Sequence, residues 1–303
     1  MNLSELINQK QQRADDWKAQ KEREREDLNA LSDKAILAIT QEPEAYQRYL
    51  NLQAGNPGYS ASNILLVMEQ NPDATVIHDM ENWNKLGRKI IKGSEGMRVR
   101  VADTYTKDGR EYRGYKIGRV FDAAQTTGKA TDAPISLQID TPEMEAALRQ
   151  LLELSPVRVN VGELDGDAYY DPGTQEITVS PNLTDHETFR ALARELTHAQ
   201  SHDNGRNSYY DRTENELDAE SVSYMLCRSF GVPCDEPDAS KIAELYADME
   251  TQDRRTILDG VQKYFRRLYG SIRKEIAPKE QEQTHSGRLS AATRGKNGGG
   301  THR

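Results

Sequence analysis

The chain has 303 residues, 36% of them hydrophobic and 29% charged, and it carries a net charge of −9. This length suggests about two domains, and the acidic balance gives no global sign of nucleic-acid binding. Two cysteines are too few for a disulfide framework. The N-terminus is charged and no apolar run reaches membrane-spanning length, so we expect a cytoplasmic protein without a membrane partner.

The N-terminal part of the chain is predicted to be helical. Residues 1–34 are dense in charged side chains and glutamine, which is typical of an exposed, charged helical arm. Apolar residues then recur at helical spacing from Ala35 to Leu52, and a second short apolar helix is predicted from Ser62 to Glu69. The turn Asn56-Pro57-Gly58 separates these two helices.

Residues 79–130 are basic within an acidic chain. They include twelve lysines and arginines but seven acidic residues, so this segment carries +5. Strands are predicted at residues 97–101 and 112–121, and Trp83 and three tyrosines accompany them. Cations that follow phosphates, next to rings that stack on bases, are typical of single-strand binding. Two simpler interpretations stay open: Trp83 belongs to the core, and the charges form a solvated surface.

The second half of the chain is predicted to be a separate domain. Residues 131–141 are interpreted as a linker, and residues 142–277 as a domain with an opening helix, a strand at 157–161 and a hairpin that turns at Pro172-Gly173. Two helices are predicted between Thr184 and Phe230, the first starting at a capping box formed by Thr184 and Glu187, and C-terminal helices extend to Ile276. Residues 278–303 are mostly polar and are predicted to be disordered.

The paired helices contain an altered metallopeptidase motif. Arg194-Glu195-Leu196-Thr197-His198 has the outline of H-E-x-x-H, but an arginine stands at the first zinc-ligand position. A guanidinium stays protonated and has no lone pair for a metal. In one interpretation Arg194 fills the metal's space and pairs with Glu216 or Glu220 of the next helix. In another, His202 joins His198 and Glu216 as a replacement ligand.

Residues 142–235 resemble the metallopeptidase-like domain of ArdC-type and LtrC-type antirestriction and conjugation proteins, and more distantly the ImmA/IrrE peptidases. The altered motif and the pattern Glu216-x-x-Ala219-Glu220-Ser221-Val222-x-Tyr224 carry this resemblance. It implies that Glu195 is the general base and that His198 and Glu216 are metal ligands. Glu220 would be a carboxylate that supports the ligands.

Residues 35–130 resemble the single-stranded-DNA-binding domain of the same ArdC group. Four segments occur in the family's order: Tyr59-x-x-x-Asn63-x-Leu65-Leu66, Trp83-x-x-Leu86-Gly87, Lys92-Gly93-x-x-Gly96 and Val120-Phe121-Asp122-x-x-Gln125-Thr126-x-Gly128. From this resemblance and the basic segment, we expect the nucleic-acid-binding residues to be Tyr59, Asn63, Trp83, Lys85, Arg88, Lys89, Lys92, Gly93, Gly96, Arg98, Arg100 and Lys116.

The sequence therefore predicts an α+β protein with a small mixed N-terminal single-stranded-DNA-binding domain, a zincin-like domain built from a hairpin sheet and helices, and C-terminal helices. We expect an accessory protein of a mobile genetic element, of the antirestriction or conjugation type, with a degenerate metallopeptidase-like domain and no cofactor. Zinc at the degenerate site stays open as an alternative. Two alternatives stay open. One is an active zinc metallopeptidase directed to DNA-bound protein, and the other is a non-catalytic module that binds a protein partner.

Overall fold

The structure is a computed structural model that describes residues 2–107, 109–130 and 135–277, and it has an α+β fold. The helices are α1 (Leu3–Ile39), α2 (Pro43–Gly55), α3 (Ala61–Gln70), α4 (Met80–Lys85), α5 (Pro142–Glu153), α6 (Asp185–His202), α7 (Arg212–Phe230), α8 (Ile242–Leu245) and α9 (Thr251–Ile276). The strands are β1 (Ile77–His78), β2 (Arg88–Ile90), β3 (Met97–Lys107), β4 (Arg110–Asp122), β5 (Thr126–Gly128), β6 (Arg158–Val161), β7 (Ala168–Asp171) and β8 (Glu176–Val179).

The first helix is longer than predicted and ends before a proline. α1 is continuous from Leu3 to Ile39, so the predicted boundary after residue 34 falls inside it. The single helix predicted from Ala35 to Leu52 was wrong, because Pro43 begins a new helix, α2. Proline has no amide hydrogen for a helix interior but fits the first helical turn.

The basic segment forms a long antiparallel hairpin. β3 pairs with β4 from Met97↔Val120 to Lys107↔Arg110, and both strands extend beyond the predicted bounds. β1 pairs with the end of β4, and β2 pairs separately with β5. The outer part of the hairpin is exposed, and the rings of Tyr105 and Tyr112 stack there with centroids 5.6 Å apart.

The second sheet has the strand order β6-β8-β7, with β6 parallel and β7 antiparallel to β8. The predicted strand and hairpin are therefore present. β7 is an edge strand of this sheet and contacts α6. α7 packs against α6 on one side and against α2 and α9 on others, which buries much of α7.

The two predicted domains share one hydrophobic core. A single cluster of buried residues extends from Ile36 in α1 to Ile272 in α9. The hydroxyl groups of Tyr46 in α2 and Ser221 in α7 lie 2.8 Å apart. Leu137, within the predicted linker, is also buried, and its amide donates to the carbonyl of Phe230. The segments assigned to the two predicted domains therefore pack against each other.

Two further predictions fall on residues that the structure does not describe. The first four residues of the predicted linker, 131–134, and the predicted disordered tail, 278–303, lie outside the described residues. Within the described residues, none of the helices combines the length and hydrophobicity that crossing a bilayer requires.

Candidate functional site

Helices α6 and α7 bring the altered motif and its predicted carboxylate together. α6 begins at a capping box, as predicted, in which the Thr184 side chain accepts from the Glu187 amide and the Glu187 side chain accepts from the Thr184 amide. The helix ends where Asp203 adopts the left-handed conformation. α6 buries Glu195 and His198 fully, next to α7 and β7.

Glu195 accepts four hydrogen bonds inside this interface. Its Oε1 atom accepts from Arg194 Nε and from Arg212 Nη2, each at 2.9 Å. Its Oε2 atom accepts from the Tyr170 amide at 2.7 Å and from Arg212 Nη1 at 2.9 Å. An ionised carboxylate offers about four lone-pair positions, and these donors occupy them. Glu195 therefore has no free position for the water molecule that a general base must contact.

Arg212 is the site residue that the sequence analysis missed. It begins α7, and its guanidinium binds Glu195 through two hydrogen bonds and lies 4.7 Å from the ring centroid of Tyr169. Its Nε atom is also 3.7 Å from Glu216 Oε2. The sequence signal was the four-residue spacing of Arg212 and Glu216, which places both on one helical face.

Arg194 turns toward the carboxylates, as one interpretation predicted, but its shortest ion pair is with the adjacent residue. Its Nε is 2.9 Å from Glu195 Oε1, whereas its Nη1 is 3.8 Å from Glu216 Oε1. Its Nη2 also donates to the Ala168 carbonyl at 3.5 Å. Because Glu195 binds the Tyr170 amide as well, this Arg-Glu pair occupies two backbone groups along the outer edge of β7.

Glu216 lies between His198, Arg194 and Arg212. Burial acts to raise its pKa, but the neighbouring His198 and the charges of Arg194 and Arg212 outweigh burial, so its pKa falls below the usual value. His198 Nε2 is 3.3 Å from Glu216 Oε2 but is out of hydrogen-bond alignment, and no other described residue bonds this nitrogen. His198 Nδ1 lies 3.1 Å from the Tyr210 hydroxyl.

His202 does not join His198 and Glu216 in the structure. Its Nδ1 atom lies 2.7 Å from the Tyr170 hydroxyl, and its ring packs on Tyr210 with centroids 4.8 Å apart. Aromatic residues therefore surround His202, and the replacement ligand set predicted with it is not assembled.

Glu220 lies beside the ion-pair cluster and not within it. It lines a cavity of about 170 Å³ together with Arg190, Arg194 and Cys234. Burial, and after it the negative charge of Glu216, raises the pKa of Glu220. Among the described residues, the ion pairs of Arg194 go to Glu195 and Glu216.

The donor set does not fit a divalent metal ion. The unbonded His198 nitrogen and the Glu216 carboxylate are adjacent, but a peptidase-type zinc site needs three protein ligands. No group of three histidine, cysteine, aspartate or glutamate side chains within the described residues could hold a metal ion. Two guanidinium groups lie within 4 Å of Glu216, and their charge repels a cation.

In the basic segment, two predicted nucleic-acid-binding residues stabilise the fold. Trp83 is fully buried, as the simpler interpretation had it, and its indole nitrogen donates to the Phe121 carbonyl at 2.8 Å. Arg88 donates to the Thr126 side chain and to the carbonyls of Ala123 and Thr126. Because these donors are used internally, neither residue presents its polar group to a ligand.

Three further predicted residues, Asn63, Arg98 and Arg100, take part in the contacts of α1 and α3 with β3. The Asn63 side chain bonds both the amide and the carbonyl of Arg100, at 2.9 and 2.8 Å. Gln70 bonds the backbone of Arg98 in the same way, at 2.9 Å for each bond. The Arg100 guanidinium donates to Asn29 in α1 at 2.8 Å, and burial is the main cause that lowers its pKa.

Lys89 and Lys92 are exposed and precede Gly93, where φ is +91° and open space surrounds the glycine. Gly96 is different, because a Cβ atom there would lie 2.8 Å from the Phe121 ring. Lys92 and the Gly93 turn therefore remain accessible, whereas Gly96 allows close packing.

The other predicted residues are partly engaged. Lys85 pairs with Glu81 at 2.8 Å and Lys116 pairs with Asp103 at 3.1 Å, both on the surface. Tyr59 is half-buried, and burial, followed by the charge of Asp79, raises its pKa to about 12. The exposed ion pairs of Lys85 and Lys116 are weak, so both lysines stay available to a polyanion.

Solved structures share the architecture described above. The metal-free crystal structure of the antirestriction protein ArdC from plasmid R388 is 20% identical, with a TM-score of 0.54 over 82% of this chain and 97% of that chain. The fold is that of ArdC. The Mn(II)-bound ArdC structure matches with a TM-score of 0.53 over 84% of this chain and 99% of that chain, again at 20% identity. The resemblance predicted from the sequence is thereby confirmed at the level of the fold.

A relative is also found by sequence. An uncharacterised protein of Bacillus anthracis, pXO2-81, is 21% identical over 292 residues, which covers 77% of this chain and 49% of that protein. The chain thus spans about half the length of this relative. No family model matches the chain.

Proposed function

We propose that this chain is an accessory protein of a mobile genetic element, of the antirestriction type, that binds single-stranded DNA and does not hydrolyse peptides. The observation that carries the non-catalytic part is the bonding of Glu195, whose lone pairs are all occupied by Arg194, Arg212 and the Tyr170 amide. A general base in this state cannot activate water. The likeness to a plasmid-encoded antirestriction protein supports the biological context.

The edge of β7 supports the same conclusion. Extended peptides bind proteins by pairing with an exposed strand edge. Here Arg194 and Glu195 bond the carbonyl of Ala168 and the amide of Tyr170 on that edge. A substrate peptide would have to displace both side chains before it could pair with β7 next to α6.

Metal content tests the non-catalytic assignment. The wild-type protein, purified without a metal-binding tag and dialysed against zinc or manganese, should contain well below one ion per chain by elemental analysis. His198→Ala is the control, because it removes the unbonded nitrogen next to Glu216. One ion per wild-type chain that is lost in His198→Ala, together with cleavage of a peptide library, would restore the metallopeptidase alternative.

The single-strand assignment rests on two exposed lysines of the basic segment, Lys89 and Lys92. Fluorescence anisotropy of a labelled oligothymidylate should show binding by the wild-type protein that weakens steeply with salt, because neutralised phosphates release counterions. Lys89→Ala with Lys92→Ala should weaken binding and reduce the salt slope by about 2. The matched control is Lys241→Ala with Lys274→Ala, which removes two exposed lysines elsewhere. A wild-type protein that does not bind would contradict the proposal.

A further inference from the structure

A groove between α1 and β4 includes Lys116 but otherwise lies outside the surfaces described so far. It has a volume of about 490 Å³, and seven residues line it: Trp17, Lys18, Lys21, Glu22, Arg25, Lys116 and Ile117. The first five belong to the arm, which the sequence predicts to be merely a solvated helix, and the last two belong to the basic hairpin. The groove is thus formed where the arm lies alongside the hairpin.

The charge of this groove is opposite to that of the chain. Four of its lining residues are cations and one, Glu22, is an anion, while the net charge of the chain is −9. Two of the cations already have carboxylate partners: Lys21 pairs with Glu24 at a half-buried position, and Lys116 pairs with Asp103 at an exposed one. Such pairs contribute little to stability, so a phosphate can replace the carboxylate as the partner.

Trp17 gives the groove an aromatic surface. The chain has two tryptophans, and Trp83 is fully buried whereas the side chain of Trp17 is 61% exposed. The exposed indole lies among the cations that line the groove, so its apolar face is open to a ligand there. Proteins that bind single-stranded nucleic acids combine aromatic rings with cations in a groove. The bases stack on the rings and the phosphates contact the cations.

We propose that the groove between α1 and β4 is a single-stranded-DNA-binding site, with Trp17 as the stacking platform and Lys18, Arg25 and Lys116 as phosphate contacts. The inference rests on the proposed single-strand binding and adds the groove to the surface that carries Lys89 and Lys92. It makes the arm part of the binding site.

The full-length protein and an oligothymidylate of roughly 15 nucleotides provide the test. Trp17→Ala should raise the Kd on the order of tenfold, because stacking on one ring contributes about 1–3 kcal/mol per base. Arg25→Ala should reduce the salt slope by about one. The matched control is Arg23→Ala, an exposed arginine two positions earlier that does not line the groove, and it should bind like wild type. Circular dichroism checks that each variant keeps its helix content.

Tryptophan fluorescence gives a second readout. Addition of the oligonucleotide should quench the emission of the wild-type protein, and Trp17→Phe should abolish the quenching, because Trp83 is buried. Equal binding by Trp17→Ala, Arg25→Ala and Arg23→Ala would overturn the groove while leaving single-strand binding intact. Binding of a polyglutamate peptide at the groove, with no quenching by the oligonucleotide, would also overturn it by assigning the groove to an acidic protein. A wild-type protein that binds no single strand would instead contradict the proposed function itself.

Discussion

Arg212 and Glu195 are joined by two hydrogen bonds of 2.9 Å across the interface of α6 and α7, and the carboxylate is fully buried. This pair occupies the place where a metallopeptidase would keep its general base free. The arginine that is visible in the motif, Arg194, supplies one further hydrogen bond to the same carboxylate. Arg194 and Arg212 therefore both bind the carboxylate that would act as the general base.

Removal of Arg212 should destabilise the protein. Arg212→Ala leaves Glu195 buried with Arg194 as its single cation, and loss of one partner from a buried pair costs about 3–5 kcal/mol. Urea denaturation should show the loss, and Arg228→Ala, an exposed arginine on the same helix, should show almost none. Addition of Glu195→Gln to Arg212→Ala should recover part of the stability. An unchanged midpoint for Arg212→Ala would mean that the pair is not formed in solution.

Restoration of the motif at one position should not create a metal site. Arg194→His supplies a histidine four residues before His198, but Arg212 still binds Glu195 and still lies 3.7 Å from Glu216. We expect zinc well below one ion per chain in Arg194→His and a clear increase when Arg212→Ser is added. Elemental analysis measures both, with His198→Ala in the double variant as control. Full occupancy in Arg194→His alone would show that Arg212 moves aside easily.

Asp218 should make stability depend on pH near neutrality. Burial raises its pKa from 3.8 to about 7, so the folded state holds the proton more tightly than the unfolded state. Its contribution to stability is therefore largest below pH 4 and is lost as the pH rises to about 7. Asp218→Asn should be more stable than wild type at pH 8, by about 1–3 kcal/mol, and not at pH 4. Asp27→Asn, at an exposed position on α1, is the control, and a pH-independent difference would contradict the account.

Asn63 should act on stability and not directly on DNA. Its side chain bonds the amide and carbonyl of Arg100, so Asn63→Ala leaves two backbone groups of β3 without partners and should cost about 1–3 kcal/mol. Lys92→Ala should show the reverse pattern, with an unchanged melting temperature and weaker oligonucleotide binding. Differential scanning calorimetry and anisotropy on both variants separate the two roles. Intact stability in Asn63→Ala would return this residue to the candidate ligand-binding set.

The helices and sheets near the site were predictable because their signals are local. The capping box at Thr184 and the Pro172-Gly173 turn each need a few residues, and both predictions were confirmed. The helix break at Pro43 was also visible in the sequence, but the apolar spacing across it was given more weight than the proline. The apolar spacing and the proline are conflicting signals at Pro43. The first helix ends before it, because proline has no amide hydrogen to donate inside a helix.

The partners of the site residues were less predictable, because they depend on tertiary contacts. Nothing local to Glu195 shows that Arg212, seventeen residues later, will reach it. In the same way, the sequence motif around Trp83 is compatible with a stacking platform and with a core residue, and only the fold places its indole against the Phe121 carbonyl. Trp17 is the opposite case, an aromatic residue in a charged arm that was overlooked.

The continuous core from Ile36 to Ile272 has a thermodynamic consequence. Because α2 packs on α7 and α3 packs on α9, neither half buries its apolar surface alone, and the described chain should unfold as one cooperative unit. A ligand that binds only the folded state stabilises that whole unit by mass action. Occupancy of the arm and hairpin by a nucleic acid would therefore also protect the amides around Glu195 from hydrogen exchange, although no strand of DNA touches them.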